Sequence, residues 1–299
     1  MEAALRNRLT IGPLMMVSLL AILWLDHAAQ AWTTSPSLPV GIKGIGITAM
    51  LLLLVPLATR EVATLFTAEH VRPFRAIAVL GSSLLLLHAF ATQFERFRPI
   101  AASSFATIVV GVMLLTALQR AFAKQTHDAI VHMAGTVLAV LYLGALGWFL
   151  VALRVKTGTT LFGHPFQGAT AHVVMILLCV KATDIGAFFT GRAFGRHNLI
   201  LWLSPGKTWE GLFGGLVVAA LVGAACAPYI LGLEWYKGAL FGALIGGVGQ
   251  LGDLLESMMK RDAEVKDSGS LVPGFGGVLD IMDSPLLAAP FAYLLFSLF

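Results

Sequence analysis

Apolar residues occur in long runs along the whole chain, separated by short polar segments. Eight runs have the roughly 17 to 25 residues that an α-helix needs to cross about 30 Å of hydrocarbon, and a ninth, at residues 284–299, is one residue shorter. We predict these spans at residues 11–31, 40–59, 75–92, 100–118, 133–153, 169–188, 211–232, 236–252 and 284–299. No remaining stretch is long enough for a large soluble domain. The pattern therefore predicts an all-α fold, a polytopic transmembrane helical bundle.

The first span has a second interpretation as a signal peptide. Arg6 and Arg8 precede its apolar core, and residues 29–31, Ala-Gln-Ala, are typical of a signal-peptidase site. However, Asp26 and His27 interrupt the approach to that site, and the core is long enough to cross a membrane. We favour a retained span, and the rest of the topology is the same in both cases.

Composition supports a membrane protein and sets its expected orientation. Of the 299 residues, 58% are hydrophobic and 12% are charged, which is about half the charged fraction of an ordinary soluble domain. Nine spans place the two termini on opposite sides, and the loops on the N-terminal side carry thirteen Lys and Arg residues against six on the other. Because cytoplasmic loops are enriched in these residues, we expect a cytoplasmic N-terminus.

The same composition excludes several classes of function. The net charge of +4 and the pI of 9.2 reflect the cytoplasmic loops of a membrane protein, so we expect no nucleic-acid partner. Cys179 and Cys226 lie in apolar runs, far from any His or Cys at metal-ligand spacing. Zinc and redox chemistry are therefore not expected.

Acidic residues collect near the C-terminus, where seven of the sixteen fall between Asp253 and Asp283. One interpretation is a solvated loop whose charges fix the topology. The spacing favours a metal site instead, because Asp253 and Glu256 share one face if the eighth helix continues through them. Asp280 and Asp283 have the same spacing before the ninth span, so two helix ends would surround a hard cation such as Mg²⁺, with a second cation left open. The candidate metal ligands are Asp253, Asp280, Glu256 and Asp283.

Between these acids lie a glycine-rich segment and three cations. Residues 273–277, Pro-Gly-Phe-Gly-Gly, supply glycines where the backbone must turn sharply or approach a ligand. Lys260, Arg261 and Lys266 have the charge to bind triphosphate oxygens. They fit equally well as topology determinants or as contacts to anionic lipid headgroups.

A second polar cluster surrounds the sixth and seventh spans. Lys181 and Asp184 lie one turn apart near the predicted cytoplasmic end of the sixth span, which indicates a functional site or an internal ion pair. Residues 206–208, Gly-Lys-Thr, resemble part of a Walker A loop, but position 201 is Leu where that motif has Gly. We also expect no strand before it, so a P-loop ATPase is rejected. The residues left as a candidate phosphate cradle at a helix start are Ser204, Lys207 and Thr208.

In their order and spacing these motifs resemble the phosphatidate cytidylyltransferase family. The residues that match its C-terminal signature are Ser257, Lys260, Arg261, Lys266, Asp267, Gly269, Pro273, Gly274, Gly276, Gly277, Asp280 and Asp283. Its upstream Ser-Pro-x-Lys-Thr-x-Glu-Gly pattern is similar to residues 204–211, preceded by Asp184 and Gly191. The chain has Phe275 where the family has His and Ile281 where it has Arg, which leaves open a divergent paralogue with altered substrate or reduced activity.

The resemblance implies transfer of the cytidylyl group of CTP to phosphatidic acid, giving CDP-diacylglycerol and pyrophosphate, with Mg²⁺ as cofactor. It implies a multi-pass protein of the cell (inner) membrane whose active site faces the cytoplasm. Residues 1–168 would form N-terminal transmembrane helices and residues 169–299 the catalytic region. The implied catalytic residues are Asp253, Asp280, Lys260, Lys266 and Asp267. The implied nucleotide- and phosphate-binding residues are Ser204, Lys207, Thr208, Arg261 and Asp184.

The expected partners are CTP, phosphatidic acid and the lipid bilayer. Small residues spaced four apart in the seventh and eighth spans, such as Gly211 with Gly215, also leave a homodimer open. Among enzymes, the alternative is a CTP-dependent polyprenol kinase or a related CTP transferase, and a kinase would leave no cytidine on the lipid. The non-enzymatic alternative is a membrane transporter, suggested by Lys181 and Asp184, although no inverted repeat is detectable.

Overall fold

The long apolar runs form helices in the computed structural model, which describes residues 2–35, 40–124, 126–159, 165–167 and 169–298. The α-helical segments are α1 (Glu2–Trp32), α2 (Ile45–Ala68), α3 (Arg75–Ala91), α4 (Ala101–Phe122), α5 (Ala129–Val140), α6 (Leu146–Val155), α7 (Thr170–Phe194), α8 (Trp209–Ile230), α9 (Trp235–Asp262) and α10 (Leu279–Leu298). A 3₁₀ turn, Arg98–Ile100, precedes α4. A π-helical turn, Leu141–Ala145, joins α5 and α6 into one continuous helix, Ala129–Val155.

The helices correspond to the nine predicted spans. Within the described ranges, eight of them are long and apolar enough to cross a membrane. The ninth, α3, has 17 residues and lies at the lower limit of about 17 to 25 residues for a span. The predicted fold class, a polytopic all-α membrane protein, is confirmed. The side on which the N-terminus lies stays a prediction.

Several helices extend past their predicted limits into charged sequence. α2 continues to Ala68 and contains the buried Glu61, α9 continues to Asp262, and α10 begins at Leu279. The acids predicted to precede the ninth span therefore lie inside the first turns of α10. A charge ends an apolar run, but a helix continues while its backbone groups and polar side chains find partners.

Two short antiparallel hairpins interrupt the helical pattern. β1 (Thr157–Thr159) pairs with β2 (Pro165–Gln167), and β3 (Asn198–Ile200) pairs with β4 (Ser204–Thr208). The expectation that no strand lies near residues 206–208 was wrong, because these residues belong to β4. The sequence alone did not indicate strands this short, since pairing with a neighbour rather than periodicity stabilises them.

The chain divides into two compact units. The first comprises Met1–Lys156 with Asp262–Ile281, and the second comprises Thr157–Arg261 with Met282–Phe299. The segment that connects α9 to α10 thus belongs to the first unit, whereas most of α9 belongs to the second. The functional division at residue 168 stays a prediction.

A buried ion pair joins three helices of the first unit. Arg154 Nε in α6 donates to Asp26 Oδ2 in α1 at 2.5 Å, and both residues are 1% exposed. The other oxygen of Asp26 accepts from the backbone N–H of Gly46, at the start of α2, at 2.8 Å. A charge this deep is stable only with a partner, so the pair fixes α1, α2 and α6 together.

In the second unit α7 and α8 pack closely at two glycines of α8. A Cβ at Gly211 would lie 3.0 Å from the carbonyl oxygen of Ala187, and one at Gly215 would lie 2.7 Å from that of Thr183. Glycine at both positions lets the two backbones approach each other. The β3–β4 hairpin connects these two helices.

Candidate active site

Three carboxylates of the second unit converge at one point. Asp253 and Glu256 lie one turn apart in α9, and Asp283 lies in the first turns of α10. One oxygen from each lies within 4.8 Å of the other two. Glu256 is 1% exposed and Asp283 is 5% exposed. The expectation that two helix ends bring carboxylates together therefore holds for these three residues.

A glycine explains how α10 comes this close to α9. Gly252 precedes Asp253 and is buried. A Cβ at Gly252 would lie 2.8 Å from the carbonyl oxygen of Asp283 and 3.0 Å from the Cα of Ser284. Because the absent side chain leaves room for the backbone of α10, the Asp283 carboxylate reaches the pair on α9.

Two lysines offset the negative charge of this three-carboxylate group. Lys260 Nζ donates to Glu256 Oε2 at 3.1 Å from one turn further along α9. Lys207 Nζ, from strand β4, lies 2.7 Å from Asp253 Oδ2. Opposite charges this near, and partly shielded from water, attract more strongly than they would in solvent. Two of the three carboxylates are therefore paired with a lysine.

A cavity of about 440 Å³ opens beside Asp253 in the second unit. Its volume lies within the ~300 to 1,000 Å³ typical of small-molecule sites. Its lining includes charged and amide side chains together with apolar residues of α7, the hairpin and α8. The lining residues are Asp184, Ala187, Phe188, Gly191, Arg192, Leu199, Gly206, Lys207, Thr208, Gly211, Leu212, Gln250 and Asp253.

A chain of polar contacts connects three residues that line this cavity, Asp184, Gln250 and Lys207. Gln250 Nε2 donates to Asp184 Oδ1 at 2.9 Å, and Lys207 Nζ donates to Gln250 Oε1 at 3.1 Å. Lys181 Nζ pairs with the other oxygen of Asp184 at 3.2 Å. Gln250 belongs to none of the predicted motifs, although it is a polar residue in an apolar run one turn before Asp253. Its amide connects the motif around Asp184 and Lys207 to the acidic motif of α9.

The Lys181–Asp184 pair lies deeper along its helix than predicted. We expected it near the end of the sixth span, but α7 continues to Phe194. Ten further residues correspond to about 15 Å of helix. The ion pair that the second interpretation expected is present. Asp184 also lines the cavity, and its functional role stays a prediction.

The hairpin that carries Lys207 is held at several points. Glu210, in the first turn of α8, accepts from the backbone N–H groups of Arg196 and His197 at 3.1 and 3.3 Å. Thr208 caps α8 by accepting from the backbone N–H of Gly211 at 3.1 Å. Arg261 Nε donates to the carbonyl oxygen of Leu203 at 3.2 Å. These contacts fix the strand from which Lys207 reaches the acids.

Several predicted site residues lie outside this arrangement. Ser204 pairs with Ile200 in the hairpin and does not line the cavity. Lys266 and Asp267 are exposed in the connection between α9 and α10, in the first unit. Asp280 also belongs to the first unit, where its carboxylate accepts from the backbone N–H of Gly277 at 2.6 Å. Its role as a metal ligand stays a prediction.

The glycine-rich segment forms a tight turn in the first unit. Val272 and Gly276 exchange two backbone hydrogen bonds, at 2.8 and 3.0 Å. Gly274 and Gly276 have φ angles of 89° and 96°, a region that residues with a side chain rarely adopt. Phe275, which replaces the family's His, points its ring at Gly12 of α1, where a Cβ would lie 3.2 Å from the ring. Ile281, which replaces the family's Arg, lies in α10.

Membrane-crossing helices with acids and lysines beside a cavity of nucleotide size are typical of a membrane enzyme that acts on phosphate groups. The whole chain except its first residues, 8–299, matches the family described as the cytidylyltransferase family. The chain therefore belongs to the cytidylyltransferase family.

Relatives from bacteria and plants agree with this family. The chain is 35% identical over 265 residues to the phosphatidate cytidylyltransferase of Synechocystis sp., covering 82% of this chain and 86% of the relative. It is 32% identical over 228 residues to that of Bacillus subtilis, covering 74% and 78%. It is 34% identical over 241 residues to the chloroplastic phosphatidate cytidylyltransferase 5 of Arabidopsis thaliana, covering 74% and 57%. The resemblance seen in the motifs is thus confirmed over most of the chain.

Proposed function

We propose that this protein transfers the cytidylyl group of CTP to phosphatidic acid and releases pyrophosphate, which gives CDP-diacylglycerol. The observation that carries the proposal is the cavity in the second unit, where Lys207 lies between Gln250 and the three-carboxylate group. The family and the names of the relatives support the same reaction.

In this reaction a phosphate oxygen of phosphatidic acid forms a bond to the α-phosphorus of CTP. The bond from that phosphorus to the oxygen bridging to the β-phosphorus breaks, and pyrophosphate leaves with the electron pair. An ionised phosphate monoester needs little help from a general base. The protein's contribution is therefore positioning and neutralisation of charge.

The three-carboxylate group has the chemistry of a Mg²⁺ site. Mg²⁺ binds through a few carboxylates together with water and substrate phosphates, and carboxylate oxygens from Asp253, Glu256 and Asp283 approach one another within 4.8 Å. Asp253 is the most exposed of the three and also lines the cavity. When bound, Mg²⁺ would polarise the phosphate oxygens and neutralise charge in the transition state.

Cationic and hydroxyl side chains would hold the phosphates. Lys207 and Thr208 line the cavity beside Asp253, and Lys207 would turn from its acid toward a phosphate of CTP. Lys260 would keep Glu256 oriented through their ion pair. Ser204, Arg261 and Lys266 stay predicted contacts to the phosphates of CTP and phosphatidic acid. Asp267 stays a predicted catalytic residue, and Asp280 stays a predicted catalytic residue and metal ligand.

The apolar lining residues of the cavity are suited to the lipid substrate. They include Ala187, Phe188 and Leu212, and the Phe188 side chain is exposed on α7. A substrate with two acyl chains would keep those chains in the bilayer and present only its phosphate to the charged residues. We therefore expect phosphatidic acid to enter sideways from the membrane.

The charge pattern supports the proposed location of the protein, and its assembly is a separate proposal. The excess of Lys and Arg on one set of loops supports a cytoplasmic active face, and the bacterial relatives support a cell (inner) membrane. A homodimer stays a prediction, but Gly211 and Gly215 cannot form its interface because they pack against α7.

A labelling experiment tests this proposal. Purified protein is incubated with phosphatidic acid, Mg²⁺ and CTP labelled in the cytosine ring, and the label is then measured in chloroform-soluble lipid. We expect labelled lipid that depends on both phosphatidic acid and Mg²⁺. Label that stays soluble while γ-labelled CTP phosphorylates a polyprenol would favour the kinase, and no transfer from either label would refute both enzymes.

A further inference from the structure

The segment between α9 and α10 carries much of the proposed chemistry and lies in the first unit. It begins after Asp262 and ends at Leu279. It contains Lys266, Asp267 and the glycine turn, and we call it the motif loop. A loop of this length with no regular structure needs contacts from elsewhere to hold its side chains in place.

One carboxylate on α2 binds both ends of the motif loop. Glu61 Oε2 accepts from the hydroxyl of Ser268 at 3.3 Å near the start of the loop. Glu61 Oε1 accepts from the backbone N–H of Val278 at 3.0 Å, and Oε2 accepts from that of Leu279 at 2.8 Å. The donors are more than 200 residues away from Glu61 along the chain. Glu61 is buried at 8% exposure, so these bonds form largely out of water.

The contact with Leu279 lies at the first residue of α10. The N–H groups of a first helical turn have no partner within the helix, and the positive end of the helix dipole favours a negative group there. Glu61 supplies that group from another helix. It thus fixes the start of α10 as well as the loop before it.

The position of Glu61 explains why two residues of the motif loop are glycine. A Cβ at Gly269 would lie 2.6 Å from Glu61 Oε1, and a Cβ at Gly277 would lie 2.6 Å from Glu61 Oε2. Real Cβ atoms do not come this near to oxygen, so only glycine permits the carboxylate to enter the loop. Both glycines belong to the C-terminal signature, and their contact with Glu61 gives a physical reason for glycine at these positions.

A second carboxylate continues the same arrangement. Asp280 accepts from the backbone N–H of Gly277 at 2.6 Å and from that of Ser268 at 3.2 Å. Glu61 and Asp280 therefore bind neighbouring atoms at both ends of the motif loop. Loss of Glu61 would release Ser268, Val278 and Leu279. We expect it to disturb Asp280, Lys266 and Asp267 as well, because they lie beside these residues in the chain.

We infer that Glu61 is a positioning residue for the proposed reaction, which holds the motif loop and the start of α10 without touching the substrates. The inference rests on the proposed function. Glutamine at this position has the same shape, but its amide nitrogen would face backbone N–H donors and could not accept from them. A buried donor left without an acceptor is unfavourable, so the loop would detach.

The test compares Glu61→Gln with Glu69→Gln. Glu69 lies just past the end of the same helix and is exposed, so it controls for the loss of one negative charge. Hydrogen exchange measured by mass spectrometry on peptides covering residues 268–280 should be faster in Glu61→Gln alone. In the monodisperse folded fraction, kcat should fall on the order of 10- to 100-fold while KM for CTP stays within about twofold.

Ser268→Ala covers the case in which Glu61→Gln does not fold. It removes one of the three bonds to Glu61, so we expect a smaller acceleration of exchange and a smaller loss of kcat, both in the same direction. A purely stabilising role would instead lower the melting temperature and leave kcat of the folded fraction unchanged, and that result would overturn the inference.

The outcomes also separate the two proposals. A wild-type protein that transfers no cytidine label overturns the proposed function, and the catalytic role of Glu61 with it. An active wild type whose Glu61→Gln variant matches Glu69→Gln in kcat or in exchange overturns the inference alone.

Discussion

Lys207 Nζ lies 2.7 Å from Asp253 Oδ2, and this contact joins the hairpin between α7 and α8 to the acidic face of α9. Lys207 is a member of the motif that resembles a phosphate loop, whereas Asp253 is one of the three converging acids. The side chain of Lys207 is 20% exposed, and that of Asp253 is 36% exposed. Each is therefore close enough to the cavity to meet a substrate and buried enough to act strongly on the other.

Replacing Lys207 tests its role as a phosphate ligand. We expect Lys207→Met to lower kcat/KM by about 10²- to 10³-fold, the usual cost of removing one donor that stabilises transition-state charge. Cytidine transfer to lipid is the measurement. Lys237→Met is the control, because Lys237 pairs at 3.6 Å with the exposed Glu234 away from the cavity. Equal activity in the two variants would contradict a role for Lys207.

Asp283 gives a test of the metal site that does not depend on activity. Mg²⁺ bound only by the folded protein should raise its melting temperature, and we expect Asp283→Asn to lose most of that rise. The Mg²⁺ concentration for half-maximal transfer should increase by at least about tenfold. Asp262→Asn, at the exposed end of α9, should behave like the wild type. An unchanged Mg²⁺-dependent melting temperature in Asp283→Asn would exclude this residue as a ligand.

The sequence was sufficient to predict the helices and the two acids of the three-carboxylate group that lie on α9. Apolar runs predict the spans because hydrocarbon thickness fixes their length. The spacing of Asp253 and Glu256 predicts a shared face because a helix repeats every 3.6 residues. Both inferences depend only on local geometry, which a sequence contains.

Contacts between helices could not be predicted from local sequence patterns. Asp280 and Asp283 have the spacing of helical neighbours, and nothing local decides which of them meets α9. In the structure Asp283 joins Asp253 and Glu256, while Asp280 binds backbone N–H groups of the motif loop. The choice depends on where α10 starts, and contacts to Glu61 help to fix that start.

Glu61 itself was missed for a related reason. It follows Arg60, and two charges in succession indicate the end of an apolar run. Its partners are more than 200 residues away, so no local pattern contains them. The burial of Glu61 and the continuation of α2 to Ala68 are visible only in the structure.

Gln250 offers a test of the polar chain along the cavity. Gln250→Leu keeps a similar volume but removes the bonds to Asp184 and Lys207. Since hydrogen bonds to charged groups contribute about 1.5 to 3 kcal/mol, we expect kcat/KM to fall about 10- to 100-fold. The exposed Gln119 of α4 provides the control Gln119→Leu. If Gln250→Leu kept the wild-type kcat/KM, the amide would not position Lys207.

The buried pair of Asp26 and Arg154 should affect stability rather than catalysis. Asp26→Leu leaves Arg154 buried with its principal anionic partner removed, and breaking such a pair costs about 3 to 5 kcal/mol in free energy of unfolding. The double variant Asp26→Leu with Arg154→Met should regain most of that loss, because two apolar side chains need no pairing.

Denaturant titration of the purified protein in detergent measures the free energy of unfolding. The kcat/KM of the folded fraction should match the wild type in all variants, since neither Asp26 nor Arg154 lines the cavity. A double variant no more stable than Asp26→Leu alone would show that the destabilisation comes from lost packing instead of an unpaired charge.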